Sequence, residues 1–162
     1  MIDRKVGYIK DITPLLPDRE RRGKGPYVVV ECLERIPCDP CVAACPRGAI
    51  RIEGSIVELP KVDYNLCNGC LSCIALCPGL AIFVVDENEG LVSIPYEFIP
   101  RPQKGEEVIA LSRSGEPLGN ATVVRVIDPP KFNRCAVITL KVRKELVNEV
   151  RFFRRKEDRL SM

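Results

Sequence analysis

The chain has 162 residues, 46% apolar and 29% charged, which suits one folded domain, or a small domain with a second one appended. It contains no histidine, which excludes imidazole acid–base catalysis, Ser–His and Cys–His nucleophiles and His-ligated metal centres. The net charge of +3 is uneven: residues 1–31 carry seven Lys/Arg against five Asp/Glu, residues 32–90 four against eight, and residues 91–162 fourteen against nine.

No apolar run reaches bilayer-spanning length, and Met1 is not followed by a signal-type apolar stretch, so a cytoplasmic protein without direct membrane insertion is expected. In that reducing compartment nine cysteines read as metal ligands in preference to disulfides. A solvated surface is the plainer reading of the basic C-terminal part, and a docking face for an acidic partner the sharper one.

Residues 1–26 read as an extended N-terminal arm. Pro14, Pro17 and Pro26 interrupt any continuous helix, and the charged run from Asp18 to Lys24 is punctuated by Gly23 and Gly25. Such an arm is either a loose terminus or a strap over its own core or a neighbouring subunit.

Residues 27–90 hold an internal repeat. Cys38, Cys41, Cys45, Pro46, Ala49 and Ile50 recur 32 positions later as Cys70, Cys73, Cys77, Pro78, Ala81 and Ile82. Strand-forming runs precede each copy (Tyr27 to Val30, and Val62 to Tyr64) and follow each copy (Ile50 to Ile52 with Ile56-Val57, and Ile82 to Val85). Between the third and fourth cysteines of each copy there is room for one helical turn. The expected architecture is α+β: a pseudo-twofold unit of two ligand loops, short helices and small antiparallel hairpins.

Residues 91–162 read as a β-rich extension. Leu91 to Ile94, Val108 to Leu111, Thr122 to Ile127 and Ala136 to Val142 are β-branched runs separated by turn signals, which predicts a small antiparallel sheet or barrel. From Lys144 to Lys156 the spacing of Leu146, Val147, Val150 and Phe153 predicts a C-terminal helix with a basic outer face. Cys135 lies outside the repeat and reads as a small buried apolar residue.

In Cys67-x2-Cys70-x2-Cys73-x3-Cys77-Pro78, three thiolates converge from one tight loop, with Asn68-Gly69 letting the backbone curl, while the fourth is carried away toward a second site. A structural zinc site would use separate Cys-x2-Cys pairs and leave one of these thiols surplus. Residues 27–85, with Cys-Pro-Arg-Gly-Ala-Ile at 45–50 and Cys-Pro-Gly-Leu-Ala-Ile at 77–82, resemble bacterial-type two-cluster ferredoxins.

That resemblance implies two 4Fe–4S clusters with crossed ligation. One would sit on Cys67, Cys70, Cys73 and Cys45, the other on Cys32, Cys38, Cys41 and Cys77. The first copy departs from the pattern, because five residues separate Cys32 from Cys38 and Arg35 stands where the family's first ligand falls. Cys32 is the substitute, and a 3Fe–4S centre is the alternative at that site.

The whole-chain layout, with Glu-Cys-Leu-Glu-Arg-Ile-Pro-Cys-Asp-Pro-Cys at 31–41, Cys-Pro-Gly-Leu-Ala-Ile-Phe-Val-Val-Asp at 77–86 and Ile-Pro-Tyr-Glu at 94–97, is similar to small iron–sulfur proteins. Those accompany FAD-dependent dehydrogenases of amino acids, hydroxy acids or glycerol phosphate. The resemblance implies a non-catalytic electron-transfer subunit of a hetero-oligomeric oxidoreductase. A free shuttle ferredoxin with an additional domain is the alternative. Nucleic acid is not an expected partner, since aromatic residues are few and no base-reading motif is present.

Overall fold

The computed structural model describes residues 2–3 and 8–156; the remaining residues of the expected arm, and 157–162 of the expected extension, lie outside the described residues. At the start β1 (Ile2–Asp3) pairs antiparallel with β2 (Tyr8–Ile9). A 3-10 turn at Thr13–Leu15 and one helical turn, α1 (Arg19–Arg22), follow. The charged run of the arm is thus partly helical. Asp18 supplies the cap, its carboxylate accepting the Arg21 amide at 2.8 Å.

The repeat contributes β3 (Tyr27–Val30), α2 (Pro40–Ala44), β4 (Ile50–Arg51), β5 (Lys61–Val62) and β6 (Ile82–Asp86). The strand before the first copy pairs with the strand after the second, while the two inner strands pair with each other. Val30 lies opposite Ile82 and Ile50 opposite Val62, so the 32-residue displacement carries one pairing onto the other. Ile56-Val57 is a turn and not a strand, with Ile56 exposed.

Downstream, β7 (Leu91–Tyr96), β8 (Glu107–Ser112), β9 (Pro117–Ile127) and β10 (Ala136–Lys141) match the four predicted runs within a few residues. They do not form a sheet of their own. With β3, β6 and β11 (Val150–Arg155) they make one antiparallel sheet of order β11-β8-β9-β10-β7-β6-β3. The hairpin from β6 to β7 carries the sheet across residue 90 without a break.

The expected C-terminal helix is absent: a 3-10 turn at Lys144–Leu146 leads into β11, which pairs with β8. The apolar residues that suggested the helix are nevertheless inward, with Val147, Val150 and Phe153 buried and Leu146 partly so. Their spacing misleads because β11 is bulged. Val150 opposes Ser112 and Phe152 opposes Leu111, so Arg151 is an extra residue, and Val150 and Phe153 face the core three positions apart.

Two cores lie on opposite faces of this sheet. Tyr27 and Val29 of β3 join Val85, Ile94, Val123, Ile138 and Phe153 in one. Val28 and Val30 join Ile82, Val84 and Val137 in the other, where Cys41, Cys73, Leu71 and Ile74 pack on them. The period-two alternation of side chains divides β3 between the cores, which is why all four of its residues are buried. The sheet curls until β11 meets β7, with the Phe153 ring stacked on Tyr96 at 4.8 Å.

Side chains also draw the two edge strands together. Asn148 donates to the Tyr27 hydroxyl at 2.9 Å, and Arg151 and Arg113 both pair with Glu31, the residue after β3. Arg151 also lies over the Phe83 ring, 4.9 Å from its centroid. Burial pulls its guanidinium down to about 10, with Glu31 opposing that shift.

Candidate metal centres

Eight of the nine cysteines are gathered in two groups on the second face of the sheet. Cys32, Cys38, Cys41 and Cys77 line one pocket of about 400 Å³, walled by Val30, Ile36, Ile82, Pro40 and Pro60. Cys45, Cys67, Cys70 and Cys73 line the other, of about 330 Å³, walled by Val28, Ile50, Leu71 and Val84. The last cysteine of each copy has left its own loop for the other copy's pocket. Cys135 lines neither and is buried just before β10.

The backbone explains the exchange. In the first copy α2 runs from Pro40 to Ala44 and hands the chain to Cys45 in extended conformation. In the second a chain of turns, Ile74 N–H to the Leu71 carbonyl and Cys77 N–H to the Ile74 carbonyl, covers the same distance. Each fourth sulfur then accepts an amide bond from the alanine four residues on. Ala49 N–H reaches Cys45 Sγ at 3.3 Å and Ala81 N–H reaches Cys77 Sγ at 3.5 Å. Amide donors of this kind favour the thiolate over the thiol.

Gly69 makes the second loop possible. Its φ is +70°, and a Cβ there would fall 2.6 Å from Pro26 Cβ. The arm therefore lies directly on the ligand loop. Arg21 adds to that contact by donating to the carbonyls of Tyr64 at 2.9 Å and Cys67 at 2.8 Å, and Tyr64 in turn donates to the Leu15 carbonyl at 2.7 Å. Of the two behaviours expected of the arm, the described part is a strap on its own core.

The donor set suits thiophilic iron. Each pocket offers four thiols, and burial pushes the Cys41 thiol up to about 11 and Cys73 up to about 12, with neighbouring cysteines adding to both shifts. Buried thiols packed together resist ionising until a cation compensates them, and binding one drives the protons off. Among the described residues no three acid or thiol groups are drawn together tightly enough to hold a single metal ion. A cluster, which interposes its own irons and sulfides, spans thiolates that stand further apart.

Around the sulfurs, Leu71, Ile74 and Ile82 are buried, Val42 and Leu80 are half-buried, and Ile36 is exposed at a pocket rim. Arg35 takes no part in the cysteine pockets; its guanidinium pairs with Glu58 at 3.0 Å. The residues between Cys32 and Cys38 form a mostly exposed lip, and Cys32 lines the pocket from the end of β3. Sequence reasoning missed Arg21, Glu31, Arg113 and Arg151. Each has a partner 43 to 120 positions away, beyond any local pattern.

Residues 34–81 match a family described as 4Fe-4S dicluster domain. The chain is 39% identical over 64 residues to the ferredoxin-type protein NapF of Haemophilus influenzae, a match covering 36% of each chain. It is 39% identical over 56 residues to the pyruvate synthase subunit PorD of Methanocaldococcus jannaschii, covering 33% of this chain and 60% of that one. It is 40% identical over 47 residues to one subunit of an ion-translocating oxidoreductase complex of Methanosarcina acetivorans, covering 29% of this chain and 17% of that one. The matched part thus spans between a sixth and three fifths of these relatives. No solved structure matches the chain. The chain contains a 4Fe-4S ferredoxin-type domain.

Proposed function

We propose that this chain is the electron-transfer subunit of an oxidoreductase complex. It holds two 4Fe–4S clusters, one on Cys32, Cys38, Cys41 and Cys77 and the other on Cys45, Cys67, Cys70 and Cys73. The observation that carries this reading is the division of eight cysteines into two pockets of four, each completed by a cysteine from the other copy. Four thiols in the first pocket favour a four-iron centre there over a 3Fe–4S one.

A bound cluster supplies one-electron transfer, with a potential set by its hydrogen bonds, burial and surrounding charge. The residues of the chain do the rest. Leu71, Ile74 and Ile82 exclude water, and the Ala49 and Ala81 amides brace the crossing sulfurs. Cys70 stands exposed at the edge of its pocket, which gives a short route to a docked partner. With every iron held by cysteine no position is open to a substrate, so the subunit itself is not the catalyst.

The donor we propose is the flavin of a partner FAD-dependent dehydrogenase. This rests on the whole-chain layout and on the segments flanking the ferredoxin-type part, a strap and an extended sheet beyond what a free carrier needs. The chain's relatives include subunits of larger enzymes, a pyruvate synthase and an ion-translocating oxidoreductase complex. Anaerobic purification with iron and sulfide determination tests both parts of the reading. About eight irons per chain, with a flavin-containing protein co-eluting, is the expected result. A chain holding fewer than about four irons would sink the cluster reading. A fully loaded lone monomer would replace the subunit with a shuttle.

A further inference from the structure

We propose that Arg21 sets the reduction potential of the cluster on Cys45, Cys67, Cys70 and Cys73, by holding a positive charge against the backbone of its ligand loop. This deepens the cluster reading above and rests on it. The half-buried guanidinium makes four hydrogen bonds, to the carbonyls of Tyr64 at 2.9 Å, Cys67 at 2.8 Å, Pro26 at 2.9 Å and Gly25 at 3.3 Å. All four acceptors are neutral.

Several other arginines of the chain have a carboxylate partner. Arg22 meets Glu87, Arg35 meets Glu58, Arg101 meets Asp128, Arg155 meets Glu106, and Arg113 and Arg151 share Glu31. Among the described residues no carboxylate pairs with the Arg21 guanidinium. Glu20 pairs with Lys24, Asp18 accepts the backbone amide of Arg21, and Asp63 accepts that of Asn65. Arg21 therefore brings a guanidinium with no carboxylate partner to the loop that carries Cys67.

One-electron reduction adds one negative charge to a cluster and its thiolates. A fixed cation nearby stabilises the reduced form and raises the potential, and partial burial keeps salt from screening it fully. The bond to the Cys67 carbonyl also polarises the Cys67–Asn68 peptide, which strengthens its N–H as a donor. The arm thus acts on the site as an electrostatic element as well as a mechanical one, and Arg21 is a positioning and tuning residue.

The test is redox titration of the full-length, cluster-loaded protein, followed by EPR, in wild type, Arg21→Gln and Arg21→Lys, with iron content measured for each. Arg21→Gln is expected to keep its iron and shift one midpoint to more negative potential, leaving the other near its wild-type value. Arg21→Lys keeps the charge and is expected to titrate like wild type. A fully loaded Arg21→Gln with both midpoints unmoved overturns the proposal.

If Arg21→Gln does not load, Arg21→Lys decides. Wild-type midpoints support the charge, whereas a lowered midpoint despite the retained charge overturns it. Failure of both variants to load also overturns it, since Arg21 is then a strut alone. A wild-type protein with fewer than about four irons would instead refute the cluster reading itself.

Discussion

Cys45 shares a pocket with Cys70 and not with Cys41, which stands only four residues before it in the chain. Cys45→Ser and Cys70→Ser should therefore deplete the same cluster, and Cys41→Ser the other. Iron would fall from about eight to about four per chain in each, and the pairs of variants would sort by the EPR signal they retain. Cys135→Ser should leave iron content and visible spectrum unchanged.

Arg35 stands where the pattern's first ligand falls, but it is Cys32 that lines the pocket. Cys32→Ser is expected to remove the first cluster or reduce it to a three-iron centre, visible as a new EPR signal in the oxidised protein. Adding Arg35→Cys to that variant should not restore it, because residue 35 lies on the exposed lip beside Glu58.

Gly69→Ala forces a side chain into a left-handed backbone position and against Pro26. The backbone strain alone costs about 1–3 kcal/mol. Thermal unfolding of the loaded protein should show a lowered midpoint, with loss of the Cys45, Cys67, Cys70 and Cys73 cluster preceding loss of the other.

Glu31 is the shared carboxylate partner of two arginines that are 4% and 12% exposed. Glu31→Gln leaves both guanidiniums without a counter-charge in the protein interior and should destabilise the fold by about 3–5 kcal/mol in a denaturant titration. Arg113→Met should cost less, since Arg151 still serves the carboxylate.

Two phenylalanines near the same aromatic group separate burial from mere proximity. Phe153 is 2% exposed and Phe98 is 64% exposed. Phe153→Ala should cost about 3–5 kcal/mol by opening a cavity, and Phe98→Ala no more than about 0.5 kcal/mol, measured by the same denaturant titration.

The grouping of the cysteines was legible because their spacing is local: a few residues of turn decide where three sulfurs point. Strands β7 to β10 were legible through their β-branched runs. The C-terminal strand was not, since a bulge at Arg151 gave Val150 and Phe153 a helical interval. Nor was the union of the repeat with the downstream strands, because adjacency of β6 and β7 is a matter of pairing and leaves no mark on composition. The strap's hold on the loop was hidden for the same reason, Arg21 meeting Cys67 across 46 positions.

The continuous sheet has a consequence for how such a domain travels between proteins. Cutting the chain after residue 90 would strip β7 from β6 and expose the Ile82–Asp86 backbone as an open, apolar edge, an invitation to self-association. The same cut would bare the Tyr27 and Val29 side of β3 to water. Trimming this chain to its cysteines would therefore leave apolar surface uncovered that the downstream strands now bury.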